Sequence, residues 1–210
     1  ENVPQKMINA ILAIEDRRFF EHPGIDFIGI VRAAIKNFTG QSREGASTIT
    51  MQVARNFFLS SEKTFKRKIN EILLSLKIEN KLSKEEILEL YINQIYLGQR
   101  SFGFSAAANT YFNKSLENLN LAEISLLAGL PKAPSRYNPL SNPDLAVARQ
   151  HTVLNNMYKY GFIDRPSYIL ALEEHLDLVE KNIRYEIQAD YVAEMVRKVL
   201  HDEYGNSIYT

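Results

Sequence analysis

The sequence has no cysteine, so no disulfide framework holds it together and no thiolate metal site is open to it. That absence fits any compartment and leaves redox location open. Net charge is missing as well, with 25 Lys and Arg balancing 25 Asp and Glu. Without a global positive field, no nucleic-acid partner is expected. No apolar run approaches the roughly 18–20 residues of a membrane span, and no signal sequence opens the chain. His151, His175 and His201 are scattered without ligand spacing, which argues against a structural zinc site. There is no internal repeat and no low-complexity tract. What remains is a 210-residue chain able to bury a sizeable core, as one large domain or one domain with a small lobe.

The patterning is almost entirely helical. Met7, Ala10, Ile11 and Ile14 form an apolar stripe, with Pro4 suited to the first helical position. Phe65, Ile69, Ile72, Leu73 and Leu76 recur at helical spacing and predict a core-facing side. Ser83 with Glu86 predicts a capping box, and Gly98 stands where a C′ residue would close that helix. Asn120 with Glu123 repeats the pattern for a short helix ending at Gly129, which Pro131 and Pro134 keep from continuing. Asn142-Pro143 opens a helix closed by Gly161. Two more helices are expected at 167–176 and 187–203, with a short extended piece at 178–185 between them. The fold class is mainly α.

Three segments carry chemistry. The first is Glu15-Asp16-Arg17-Arg18-Phe19-Phe20-Glu21-His22-Pro23-Gly24-Ile25-Asp26, which sets a carboxylate pair at the seam between the apolar stripe and a polar turn. A carboxylate near apolar walls is a candidate general acid or base, because desolvation raises its pKa. Alone, the run also reads as a helix end closed by His22-Pro23-Gly24. The second is Gly45-Ala46-Ser47-Thr48-Ile49-Thr50-Met51-Gln52, a small-residue turn leading into a helix that carries Arg55. Backbone N–H groups, hydroxyls and the helix dipole there can cradle an anion, although an ordinary Ser/Thr cap has the same appearance. The third is Lys63-Thr64-Phe65-Lys66-Arg67-Lys68-Ile69-Asn70-Glu71. Glu71 among four cations suits a strongly anionic ligand such as a diphosphate. Plain helix ion pairs are the other reading.

In this order the segments resemble the peptidoglycan glycosyltransferase module of class A penicillin-binding proteins and monofunctional transglycosylases. A fourth motif follows in residues 84–93 through Gly98, with Tyr91 and Asn93 in it. The fifth departs from the family: Arg149-Gln150-His151 stands where two adjacent arginines are usual, so only Arg149 is carried over. The resemblance spans about residues 1–160.

The resemblance implies a lysozyme-like helical core lobe with a smaller, membrane-facing lobe. It implies lipid II and a growing lipid-linked glycan as substrates, and a bacterial cytoplasmic membrane with the catalytic domain on its outer, periplasmic side. Glu15 is expected to take the proton of the acceptor's 4-hydroxyl as undecaprenyl diphosphate leaves, giving a β-1,4 linkage. Lys63, Arg67, Lys68 and Arg55 are expected to stabilise the leaving diphosphate, helped by Gly45, Ser47, Thr48 and Gln52. Glu71 would orient these cations or coordinate a divalent ion, Mg or Mn; no organic cofactor is expected. Asp16, Arg18 and His22 would hold the first turn in shape. Asn93 would brace the wall of the site, and Lys77 and Tyr96 are candidates to reach the groove.

Residues 25–38 intersperse Phe27, Ile28, Ile30, Val31, Ile35 and Phe38 with Arg32 and Lys36. That suits a lipid interface, although such a pattern is more often an amphipathic helix on the core. The polar stretch 37–44 that follows reads as a loop suited to gating. Residues 1–185 are expected to form the glycosyltransferase domain. Residues 186–210 then form a helix and the start of a connection to a transpeptidase domain. The chain opens at Glu1 rather than at methionine, which fits a piece of a longer, bifunctional protein preceded by an anchor. A lytic, glycan-cleaving enzyme would need no diphosphate cradle. A non-catalytic docking module would leave Glu15 and Glu71 without a task.

Overall fold

The computed structural model describes residues 3–39, 45, 47–58 and 64–179, all within the compact unit that ends at Val179. Lys63, residues 40–44, the expected helix at 187–203 and the boundary after 185 lie outside the described residues, as does most of the extended piece at 178–185. Nine α-helices are described: α1 Gln5–Glu15, α2 Phe27–Phe38, α3 Ile49–Phe58, α4 Phe65–Glu79, α5 Lys84–Gln94, α6 Phe104–Phe112, α7 Leu121–Gly129, α8 Pro143–Lys159 and α9 Arg165–Glu173. Among the described residues extended backbone pairs only at an isolated antiparallel bridge, Tyr96 with Phe102. The protein is mainly α, as expected.

The helix ends follow local chemistry. Both expected capping boxes form. At α5, Glu86 N–H donates to Ser83 Oγ at 3.2 Å while Ser83 N–H donates to Glu86 Oε2 at 2.7 Å. At α7, Glu123 N–H donates to Asn120 Oδ1 at 2.8 Å and Asn120 N–H to Glu123 Oε2 at 3.0 Å. Pro4 sits one position earlier than expected, at the N-cap of α1, with an extended ψ of 139°. Asp164, not Ser167, opens α9: its carboxylate accepts from Ser167 N–H at 2.9 Å, so the helix starts and ends earlier than 167–176. Gly98 does not close α5, which ends at Gln94. It lies in the turn beyond, at φ +88°, where a Cβ would come within 2.7 Å of Tyr111 Oη. That close approach lets Tyr111 donate to Leu97 O at 2.9 Å. Helix α6 carried no cap or period strong enough to predict.

The core gathers around α7, where residues from Ala122 to Gly129 are buried on every side. α1 and α8 pack on it, and α9 packs on α8. Met7, Ala10 and Ile11 of the predicted stripe are all fully buried there. α3 packs against both α4 and α5. Here one expectation fails. The apolar side of α4 does not face the core: Phe65 is 82% exposed and Leu73 58%, while Glu71 and Ser75 are the buried residues. Helical period identifies an amphipathic face but not the phase that covers it. The polar side is inside because Glu71 finds cations there and Ser75 returns its hydroxyl to Ile72 O at 2.7 Å.

Candidate active site

Glu15 is the last residue of α1, and the turn after it is tied down at nearly every polar atom. Asp16 breaks the helix and is buried. Both its oxygens lie 3.0 Å from His22 Nε2, and Oδ2 also accepts from Ile49 N–H at 3.0 Å. Gly24 N–H donates to His22 Nδ1 at 3.2 Å, so the network assigns the ring proton to Nε2. Arg18 bridges Glu21 at 2.7 Å and Asp26 at 3.3 Å. Lys84 donates to His22 O at 2.7 Å and stands 4.4 Å from the centre of the buried Phe19 ring. Asp16, Arg18 and His22 thus all bond within the turn that follows α1. Thr48 belongs with them rather than with an anion cradle. Its hydroxyl donates to Gly24 O at 2.6 Å and accepts from Met51 N–H at 3.1 Å, capping α3 and fastening it to the turn.

Glu15 itself keeps 11% of its side chain exposed. Its Oε2 accepts from Gln52 Nε2 at 2.7 Å. Arg149 Nη2 lies 3.8 Å from Oε1, close enough for charge attraction and too far for a hydrogen bond. Burial raises the pKa of Glu15, and the Gln52 hydrogen bond and the charges of Arg149, Arg55 and Lys132 partly offset it. Arg149 is held from behind by donating through Nε to Gly129 O at 3.2 Å, with Tyr137 5.7 Å away below the guanidinium. Lys132 follows α7 by three residues and escaped sequence reading, since nothing local ties it to a residue so far back in the chain. Gln150, where the family has a second arginine, is buried and donates to Ala122 O at 3.0 Å. It joins α8 to α7 and does not face Glu15.

The second carboxylate, Glu71, is 1% exposed. Its Oε1 accepts from Lys68 Nζ at 2.6 Å, and Arg67 Nη1 lies 3.5 Å from Oε2. Lys68 also donates to Ser47 Oγ at 3.2 Å and touches Met51 Sδ at 3.9 Å. Consecutive residues of α3 therefore meet both centres: Gln52 holds Glu15 and Met51 packs under Lys68. Arg67 Nε is buried with no partner among the described residues, a donor left over for something else. Gly45 is exposed, with open space where a Cβ would stand. Arg55 acts on Glu15 by charge. Lys77 and Asn93 are exposed, and Tyr96 packs on Phe102 with ring centres 5.2 Å apart. Among the described residues no hydrogen bond or ion pair joins these last three side chains to Glu15 or Glu71.

The donor set does not fit a divalent ion held by the protein. Both oxygens of Glu71 face cations, and among the described residues no cluster of three or more His, Cys, Asp or Glu could hold a metal.

Beside the site, the protein exposes apolar surface. Phe27, Ile28, Val31 and Ile35 of α2 line an open groove with Arg32 and Lys36. On α3 and α4, Phe57, Phe58, Phe65, Ile69 and Leu73 are exposed. The outer side of α2 is therefore not packed on the core. No helix among the described residues is long and apolar enough to cross a membrane.

Comparison with known proteins places these features. A family model described as Transglycosylase matches residues 1–158. Penicillin-binding protein 1A of Neisseria gonorrhoeae is 53% identical over 208 residues, covering 99% of this chain and 26% of the relative. Penicillin-binding protein 1A of Pseudomonas aeruginosa is 49% identical over 210 residues, 100% of this chain and again 26% of the relative. The crystal structure of penicillin-binding protein 1A from Haemophilus influenzae superposes with a TM-score of 0.56 at 31% identity, covering 98% of this chain and 21% of that one. The chain spans about a quarter of the length of the curated relatives it matches.

Proposed function

The chain belongs to the transglycosylase family and is a peptidoglycan glycosyltransferase, and from that premise we propose that it polymerises lipid II with Glu15 as general base and Arg67 and Lys68 as diphosphate clamp. The acceptor's 4-hydroxyl oxygen attacks the anomeric carbon of the lipid-linked donor. Its proton passes to Glu15, the bond from that carbon to the phosphate oxygen breaks, and the electron pair leaves on the undecaprenyl diphosphate. A single displacement at an α-linked donor gives a β-1,4 linkage.

The observation that carries this reading is the bridging position of α3, whose Gln52 and Met51 touch Glu15 and Lys68 respectively. It couples a carboxylate of raised basicity to a clamp of positive charge. A hydroxyl nucleophile needs the first, and a diphosphate leaving group needs the second. Glu71 holds Lys68 and Arg67 in place, and Arg67 Nε, which has no partner among the described residues, is a donor for a phosphate oxygen. Arg55, Lys132 and Arg149 add positive potential at the carboxylate. No step is routed through a metal.

The exposed apolar residues of α2, α3 and α4, with Arg32 and Lys36 among them, suit contact with an anionic membrane from which a polyprenyl substrate enters. The site would then work at the outer face of the bacterial cytoplasmic membrane. In the full protein a transpeptidase domain would cross-link the strands made here.

Lipid II polymerisation by the chain and by Glu15→Gln, with folding of both followed by circular dichroism, tests the assignment. Glu15→Gln should fold and lose about 10²–10⁴-fold in rate. Because burial raises the pKa of Glu15, the wild-type rate should fall on acidification at a pH above the ordinary glutamate range. A folded variant with undiminished rate would remove Glu15 from the chemistry. Shortening of preformed glycan by the wild-type chain would replace synthesis with the lytic reading.

A further inference from the structure

Several segments meet at one largely buried ion pair that the mechanism above does not use. Glu79, the last residue of α4, and Lys84, the first of α5, lie 2.7 Å apart with 10% and 18% of their side chains exposed. Glu79 Oε1 also accepts from the hydroxyl of Thr50 in α3 at 2.5 Å, and Thr50 is fully buried. Lys84 also donates to His22 O at 2.7 Å in the turn after α1, with its ammonium over the Phe19 ring. That turn is seated directly on α4. At Gly24, with φ +89°, a Cβ would come within 3.0 Å of Glu79 Cγ and 3.1 Å of Ser75 O. Stability alone is a weak reason for such a pair, because apolar side chains of the same size would hold the helices as well.

What the pair joins gives it a task. His22 is bonded at 3.0 Å to Asp16, the residue after Glu15. Thr50 shares α3 with Gln52, which holds Glu15. Helix α4 carries Arg67, Lys68 and Glu71, the last of them about 12 Å along the helix from Glu79. We propose that Glu79 and Lys84 are positioning residues, whose ion pair fixes the turn that follows Glu15 against the helix that carries the diphosphate clamp. Transfer needs the attacking hydroxyl and the leaving diphosphate in line at one carbon, so the separation of base and clamp bears on the rate. A displacement of about 1 Å there can cost on the order of 10²-fold. Lys84 sets that separation from the base side through His22 O. Glu79 sets it from the clamp side, through the last turn of α4 and through Thr50.

The proposal rests on Glu15 as the base and on the clamp of Arg67 and Lys68. Lys84→Met removes the donor to His22 O and strands the Glu79 carboxylate. Adding Glu79→Gln relieves the stranded charge and keeps an acceptor for Thr50, while the tie to His22 O stays missing. In urea unfolding, Lys84→Met should be less stable than wild type, and the double variant should regain most of the loss. In lipid II polymerisation per folded molecule, both should lose kcat by about tenfold or more at unchanged KM. A rate that returns with stability in the double variant makes the pair an element of folding only and overturns the proposal. A double variant that does not fold, or whose slower turnover lies in KM, overturns it as well. If Lys84→Met alone fails to fold, the double variant decides. Glu15→Gln separates this proposal from the base assignment. Full rate in Glu15→Gln beside a slow double variant would remove the base and leave the hold of Lys84 on the turn standing. An inactive Glu15→Gln beside a double variant at wild-type rate would do the reverse.

Discussion

α7 buries its residues on all sides from Ala122 to Gly129, whereas α4 sinks Glu71 and Ser75 and leaves Phe65 and Leu73 in the open. Each helix also buries one carboxylate, and the two are treated differently. Glu123 accepts from Lys114 Nζ at 2.6 Å and from the Asn120 backbone at 3.0 Å, so it is spent on the fold. Among the described residues Glu71 has only Lys68 and Arg67, and Arg67 keeps its Nε donor in reserve. One helix is written for the protein's own core. The other turns its charge inward and leaves its apolar face exposed, as the proposed anionic ligand and lipid phase would require.

That contrast can be broken experimentally. Leu127 is fully buried in α7, so Leu127→Ala should cost about 2–5 kcal/mol of unfolding free energy by urea titration. A cost below 1 kcal/mol, well short of that range, would mean that α7 is not the centre of the core. Next in size is Gln150→Ala, which strands Ala122 O between α8 and α7 and should cost about 1–3 kcal/mol. Lipid II turnover per folded molecule should change little, because Gln150 faces away from Glu15. A selective loss of turnover would give the site a claim on that position. The smallest effect on folding belongs to Leu73→Ser, within about 0.5 kcal/mol of wild type. Its cosedimentation with anionic vesicles should nevertheless weaken by about tenfold. Unchanged vesicle binding would leave the open face of α4 without a lipid role.

Much of the fold was legible because its signals are local. The capping boxes at Ser83 and Asn120 involve groups three residues apart, and the Met7–Ile11 stripe needs only helical period to declare itself. The same period misled at α4, since Phe65, Ile69 and Leu73 repeat as a core face would and yet lie outside. Gly98 looked like a helix cap because its positive φ is common there, while the reason for it is the Tyr111 hydroxyl from another helix. In the site, the hydroxyls of motif two divided by role. Ser47 reaches Lys68, while Thr48 is locked to Gly24 O. Nothing in a run of small residues announces that division. Lys132 was beyond reading, because it acts on Glu15 through space alone.

The sequence by itself determined the helical class, the two capping boxes and the order of charged motifs, because turns, caps and periodicity depend on neighbours within about one helical turn. Tertiary structure decided which carboxylate faces which cation, which apolar face is left uncovered and how far the Glu15 pKa departs from ordinary. Those properties arise where segments distant along the chain exclude water from one another. Desolvation and charge depend on distance in space, and no spacing in the sequence measures that.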